Sequence, residues 1–148
     1  MRVVVDTNIA FSAILNTNSK IGKVLLHPKS KINFYSTNNL KLELEKHKAK
    51  LKKLSGYSDQ DFNSIYTLVL SKIRFINLEL IPNRIYQRAL ELTSYVDIDD
   101  TEFVALTEHN RGKLWTGDKQ LIRGLTNLKW GKVITTNELY ELTRKTKR

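Results

Sequence analysis

The chain has 148 residues and no cysteine, so it reads as one domain, residues 1–148, that buries its core without disulfides, thiolate metal sites or a cysteine nucleophile. Lysine and arginine number 25 against 15 aspartates and glutamates, a formal net charge of +10, which favours a polyanion such as RNA or DNA as partner over a membrane. Asp6 and Asn8 interrupt the apolar opening and no stretch approaches the ~20 apolar residues of a bilayer span, so a soluble, cytoplasmic protein is expected.

Residues 3–5 are three valines, a buried strand that ends at Asp6. From Asn8 the spacing of Ile9, Ser12 and Ala13 is helical, and Ile21, Val24 and Leu25 continue that pattern until Pro28, after His27, stops it. Residues 32–35 form a second strand. Thr37 and Asn38 then cap one long helix with Leu40, Leu44, His47, Leu51 and Leu54 on a stripe, closed by Gly56. Ser58 and Asp61 make a capping box for a helix bearing Phe62, Ile65, Val69 and Ile73. Residues 75–76 are strand-like, and Pro82 opens a helix with Ile85, Ala89 and Leu92 inward. Asp99 caps the next helix, which carries Phe103, Val104 and Leu106. A strand at 113–116 is followed by a short helix from Asp118 to Leu125. The last strand is 132–135, and Asn137 caps a terminal helix that runs into a basic tail at 144–148.

Strands and helices alternate throughout, which predicts an α/β fold, a three-layer sandwich with a central, mainly parallel sheet. Such sheets bind ligands beyond the carboxyl ends of their strands, where strand order reverses. Asp6 follows the first strand, Glu43 lies in the first turns of the helix after the second, Asp100 begins the Asp99 helix, and Asp118 follows the 113–116 strand. All four can therefore face one crevice. Each alone has a plain explanation as a cap, a turn or a solvated helix residue. Capping requires one acceptor per helix, however, not three carboxylates at strand ends and a fourth on a helix face. Clustered carboxylates repel unless a hard divalent cation joins them, and magnesium accepts oxygen ligands while keeping several waters.

The segment from Val3 through Asp6, Thr7, Asn8 and Ile9 to Ser12 resembles the first motif of the PIN-domain nucleases, including the toxin ribonucleases of toxin–antitoxin pairs. Phe34–Ser36 with Leu40, Glu43 and His47 resembles the second motif, Asp97-Ile98-Asp99-Asp100 with Phe103 and Ala105 the third, and Leu114-Trp115-Thr116-Gly117-Asp118 the fourth. The set is in order and spans nearly the whole chain. The resemblance implies a PIN-like fold and metal-dependent hydrolysis of RNA phosphodiester bonds with Mg2+ or Mn2+, leaving a 5′-phosphate and a 3′-hydroxyl. It implies Asp6, Glu43, Asp100 and Asp118 as catalytic residues, with Asp6, Asp100 and Asp118 on the metal and Glu43 completing the pocket directly or through water. Asn8 and Thr116 would be polar supports, and Asp97 and Asp99 possible further ligands. Glu102 and Thr107-Glu108 depart from the family pattern and put the pocket's shape in question.

Lys46, His47, Lys50 and Lys53 form a candidate RNA track on the Glu43 helix, and the 144–148 tail could add nonspecific RNA binding. Trp115, in a strand, is expected in the core, whereas Trp130 is open to stacking on a base. An antitoxin protein and a second copy of the chain are candidate partners. The alternatives are an RNA-binding PIN domain without turnover and a DNA structure-specific nuclease. A flavodoxin-like phospho-receiver needs a lysine after its last strand, whereas Lys132 begins one.

Overall fold

Val3, Val4 and Val5 are apolar on both faces, and only the middle of a covered sheet buries such a strand completely. In the computed structural model, which describes residues 1–146, all three are fully buried and strand β1 (Arg2–Val5) has a neighbour on each side. Five parallel strands lie in the order β3-β2-β1-β4-β5, with β2 at Asn33–Thr37, β3 at Ile73–Ile76, β4 at Lys113–Trp115 and β5 at Val133–Ile134. Val4 stands opposite Tyr35 of β2 and Leu114 of β4. The chain builds outward from β1 to β3 on one side, then crosses to β4 on the other. Strand order therefore reverses at β1, and the β1–β4 boundary is the crevice expected to bind a ligand.

The helices flanking the sheet are α1 (Thr7–Leu15), α2 (Lys20–Leu25), α3 (Asn38–Lys46), α4 (Lys48–Ser55), α5 (Asp59–Ser71), α6 (Asn83–Thr93), α7 (Thr101–Asn110), α8 (Lys119–Asn127) and α9 (Thr136–Thr146). Helix α7 packs across β1, β2 and β4 with α6 against it, while α1 packs on α2, α4 and α5. Its residues Phe103, Val104, Ala105 and Leu106 are buried in succession, as befits a helix enclosed on most sides. Trp115 has no exposed surface and lies 5.7 Å from Phe34 between ring centroids, so it belongs to the core as expected. Among the described residues no helix is long and apolar enough to cross a membrane.

Several boundaries differ from the sequence expectation, and Ile73, expected on the apolar face of the helix after Ser58, is instead the first residue of β3 because α5 ends at Ser71. The helical pattern after Asn8 does not run through: α1 ends at Leu15, and Ser19 caps α2 by accepting the Gly22 amide at 3.1 Å. A Cβ on Gly22 would stand 2.5 Å from the Thr17 carbonyl oxygen, so the tight return between these helices requires glycine. The long basic helix is two: His47, at φ −99 and ψ 11, leaves helical geometry and separates α3 from α4. Helix α9 begins before Asn137, because Thr135 and Glu138 form the capping box, with Oγ1 accepting the Glu138 amide at 3.2 Å and Oε1 accepting the Thr135 amide at 3.1 Å. The expected tail from 144 is helical through Thr146, and residues 147–148 lie outside the described residues.

Candidate metal centre

Strand β1 delivers Asp6 to the carboxyl edge of the sheet, where its backbone leaves the strand at φ −85 and ψ 174. Oδ1 of Asp6 accepts the Ile9 amide at 2.9 Å, which caps α1, and the side chain is buried. Next door, β4 delivers Thr116. Val5 pairs with Trp115, so Asp6 and Thr116 follow on the next rung of the two strands. The Thr116 hydroxyl hydrogen-bonds the Asp6 carboxylate, and its oxygen accepts the Asp118 amide at 3.2 Å. One buried hydroxyl thus joins the ends of the two strands. Asp118 in turn caps α8, its Oδ1 accepting the amides of Gln120 at 3.0 Å and Leu121 at 3.2 Å. Ser36, part of the second motif but given no role there, donates to the Val5 carbonyl at 2.6 Å and fixes the last residue of β1.

The third acidic segment folds differently from expectation. Asp97 Oδ1 accepts the Asp99 amide at 3.0 Å and opens a 3-10 turn at Ile98–Asp100, so α7 starts at Thr101 and Asp99 does not cap it. Asp99 and Glu102, although spaced for a capping box, do not form one. Glu102 instead accepts the Thr37 hydroxyl at 2.8 Å and the Asn39 side-chain amide at 3.0 Å, tying α7 to the start of α3. Asp100 stands at the N-cap position of α7 yet makes no capping hydrogen bond. Burial drives its carboxyl up to about 7, and the neighbouring charges of Asp97, Asp6, Asp118 and Asp99 add to the rise. Burial also raises Asp6, with the Asp118 charge adding, against the lowering hydrogen bonds of Thr116 and Ile9. Asp97, Asp100 and Asp118 each bring a carboxylate oxygen within 4.8 Å of the other two. Asp6 adjoins this set without belonging to it.

The family profile of the PIN domain matches residues 4–144. The chain belongs to the PIN-domain family. PIN domains are in general nucleases that work with divalent metals, and this chain has a cluster of three acidic residues, Asp97, Asp100 and Asp118. Among curated proteins none matches the chain.

In this PIN domain the expected residues separate into two groups. Asp6, Asp100, Asp118 and Thr116 meet at the β1–β4 boundary, joined by Asp97, which the resemblance offered as a further ligand beside its main set. Its signal was the three-residue spacing to Asp100, which a 3-10 turn brings round to the same side. Glu43 stands apart on α3, its side chain 48% exposed and Oε2 3.3 Å from His47 Nε2. It lines a neighbouring groove of about 470 Å3 with Thr7, Asn39, Asp99 and Glu102. Asn8 serves Asp6 through its backbone amide, while its side chain is exposed.

The basic candidates are all at the surface of α3 and α4. Lys46, Lys50 and Lys53 are exposed, and His47 is half-buried with its ring edge-on to Phe11 at 6.0 Å. Lys48 lies over the Tyr66 ring and Lys52 pairs with Asp59, so those two are engaged. Trp130 does not offer itself to a base: it is buried, and its Nε1 donates to Glu108 Oε1 at 2.6 Å. Glu108, a departure from the family pattern, is thereby explained. Lys132 donates to its other oxygen at 2.9 Å, and although burial opposes ionisation these hydrogen bonds hold the carboxyl below its usual range.

Proposed function

We propose that the protein is an endoribonuclease dependent on Mg2+ or Mn2+. The observation that carries this reading is Asp100: a half-buried carboxyl with no capping duty, pushed up to about 7 and facing Asp97 and Asp118. A carboxylate in that setting is unfavourable without a cation to share. The donor set fits one, because it consists only of carboxylate oxygens, which suit a hard octahedral ion, and contains no histidine or cysteine to favour zinc. Asp97, Asp100 and Asp118 would hold the ion, with Asp6 beside them.

A bound divalent cation supplies charge neutralisation on a phosphodiester and a water of lowered pKa. The chain's own part is to prepare that site. Asp97 and Asp118 each commit Oδ1 to backbone amides, which fixes their orientation before any ion arrives. Thr116 and the Ile9 amide fix Asp6 in the same way. Glu102, anchored by Thr37 and Asn39, is kept from rotating into the cluster. Support for RNA as substrate comes from the net charge of +10, from exposed Lys46, Lys50 and Lys53, and from the resemblance to toxin-type PIN ribonucleases. That resemblance also makes an antitoxin protein and a second copy of the chain the partners to look for, in the cytoplasm.

The test is to incubate the purified protein with a structured RNA pool and with matched DNA, in Mg2+, in Mn2+ and in chelator, beside Asp6→Asn and Asp100→Asn. Cleavage of RNA that requires the metal and is lost in both variants is the expected result. Equal turnover by either variant would remove the site assignment. Preferential cleavage of DNA would replace the substrate, and tight binding of RNA without turnover would replace the enzyme by a binding module.

A further inference from the structure

In a parallel sheet all strands begin at one edge, and here that edge is cationic. Arg2 and Lys113 are the first residues of β1 and β4; Lys72 and Lys132 immediately precede β3 and β5; Lys31 lies two residues before β2. Several of these charges have internal work. Arg2 donates to the Asn110 carbonyl, Lys113 to the Gly131 carbonyl and Lys132 to Glu108. Lys72, Arg111 and Lys129 follow the ends of α5, α7 and α8, where cations offset the helix dipole.

Lys23, Lys29, Lys31 and Arg144 remain, and they gather around one feature. A cavity of about 570 Å3 opens between the end of α2, the loop after it and the end of α9, lined by Lys23, His27, Lys29, Tyr140, Thr143 and Arg144. A smaller one of about 170 Å3 shares Thr143 and adds Lys31, Ser30 and Met1. Lys23, Lys29 and Lys31 are exposed and make no ion pair among the described residues, and Arg144 has only exposed Glu141 at 3.4 Å. No aspartate or glutamate occurs between Asp6 and Glu43, the whole stretch that supplies these lysines. The loop is held in shape: His27 Nδ1 accepts the Lys29 amide at 3.1 Å, the His27 carbonyl accepts the Ser30 amide at 3.3 Å, and Ser30 Oγ accepts the Ile32 amide at 3.1 Å. Because the loop backbone is already held, meeting a polyanion orders the lysine side chains but not the loop.

We infer that this edge is a second RNA-binding site, at which Lys23, Lys29, Lys31 and Arg144 hold backbone phosphates of an RNA segment remote from the cut, with a nucleotide entering the 570 Å3 cavity beside Tyr140. The identity of the polyanion rests on the ribonuclease reading; the site itself does not. The four residues of β1 hold this edge about 13 Å from the acidic one, at ~3.3 Å per residue. A long RNA therefore reaches both sites at once, whereas an oligonucleotide of about two residues occupies one at a time.

The experiment measures binding by Asp6→Asn protein with and without Lys23→Glu, Lys29→Glu and Lys31→Glu, by fluorescence anisotropy of a long structured RNA and of a short oligonucleotide across a salt series. A Lys→Gln triple variant and a thermal melt of each protein control for folding. The expected result is a Kd for the long RNA raised roughly tenfold or more, with a salt slope reduced by about 3, and a smaller change for the short oligonucleotide. An unchanged Kd for the long RNA overturns the proposal, and so does an equal loss for both lengths. So does a triple variant that loses poly-glutamate binding while holding RNA as before, since the edge would then receive an acidic polypeptide. Cleavage by the unsubstituted protein, measured in parallel, separates the two readings: turnover with an unaltered Kd removes this site alone, and absent turnover with the expected loss of binding removes the nuclease alone.

Discussion

The two edges of the sheet carry opposite charge and solve opposite problems. At the edge where strands begin, the cations beside the strand and helix ends, apart from the group around Lys23, Lys29 and Lys31, are accounted for by the protein itself: Lys132 by Glu108, Arg2 by the Asn110 carbonyl, Arg111 by the end of α7. At the edge where strands end, the acids gain nothing from one another. Asp97 and Asp118 have local backbone partners, but Asp100 has four aspartates around it and, among the described residues, no cation. A fold tolerates such a site when something outside the chain completes it, and the contrast separates charge that stabilises from charge that awaits a ligand.

The sharpest way to break that contrast is Asp100→Asn. Metal-dependent cleavage should fall at least about 100-fold, since a direct ligand is lost where even an indirect support costs 10–100-fold. In chelator the same substitution should stabilise the protein near neutral pH. The native carboxyl keeps its proton to about 7, whereas an unfolded aspartate releases it near 3.8, so the native state binds more protons between those values. Stability of the metal-free protein therefore falls as pH rises through this window. Melting temperatures in chelator, taken from pH 4 to 8, should show that decline in the parent and a weaker one in Asp100→Asn. Parallel curves for both proteins would mean that Asp100 is not strained.

Thr116→Val comes next. It keeps the shape and removes the hydroxyl that Asp6 and the Asp118 amide share, so cleavage should fall about 10–100-fold through misplaced carboxylates. Weaker metal affinity, measured by calorimetry in the folded variant, should accompany the loss. Unaltered affinity with lost turnover would give Thr116 a part other than orienting Asp6.

Glu43→Gln should do less, at most about tenfold, because Glu43 is half exposed in the adjoining groove and paired with His47. A loss as deep as that of Asp100→Asn would bring Glu43 into the metal centre, and the comparison of initial rates decides.

The order of strands and helices was readable in the sequence because β-branched runs and helical spacings are local signals, and three buried valines leave β1 no position but a central one. The acids at strand ends were readable for the same reason: topology alone sends Asp6 and Asp118 to one edge. What stayed hidden depended on contacts distant in sequence. Helix propensity runs unbroken through His47, yet the chain turns there to lay α4 along α1. Asp99 has the composition of a cap, yet the 3-10 turn moves the helix start past it and frees Asp100. Trp130 looked available to a base only because its partner Glu108 lies 22 positions earlier in the chain.

That pair supplies the smallest effect and the cleanest counterpart to Asp100. Glu108→Leu leaves the buried Trp130 N–H without an acceptor and Lys132 without its carboxylate, which should cost about 1–3 kcal/mol of stability. Glu108→Gln, which keeps an acceptor for Trp130, should cost less. Cleavage should be unaltered in both, because Glu108 lies at the far end of α7 from the acidic cluster. The pH dependence is opposite to that of Asp100. The native Glu108 carboxyl is held below the ordinary value of 4.5, so its contribution is fully present above that value and is lost as pH falls through the lowered one. In chelator, acidification should therefore narrow the gap between parent and Glu108→Leu, whereas raising the pH toward 7 narrows or reverses the gap between parent and Asp100→Asn. Two carboxylates on the same helix and its cap would then report opposite signs: one satisfied by the fold, the other by what the fold is built to receive.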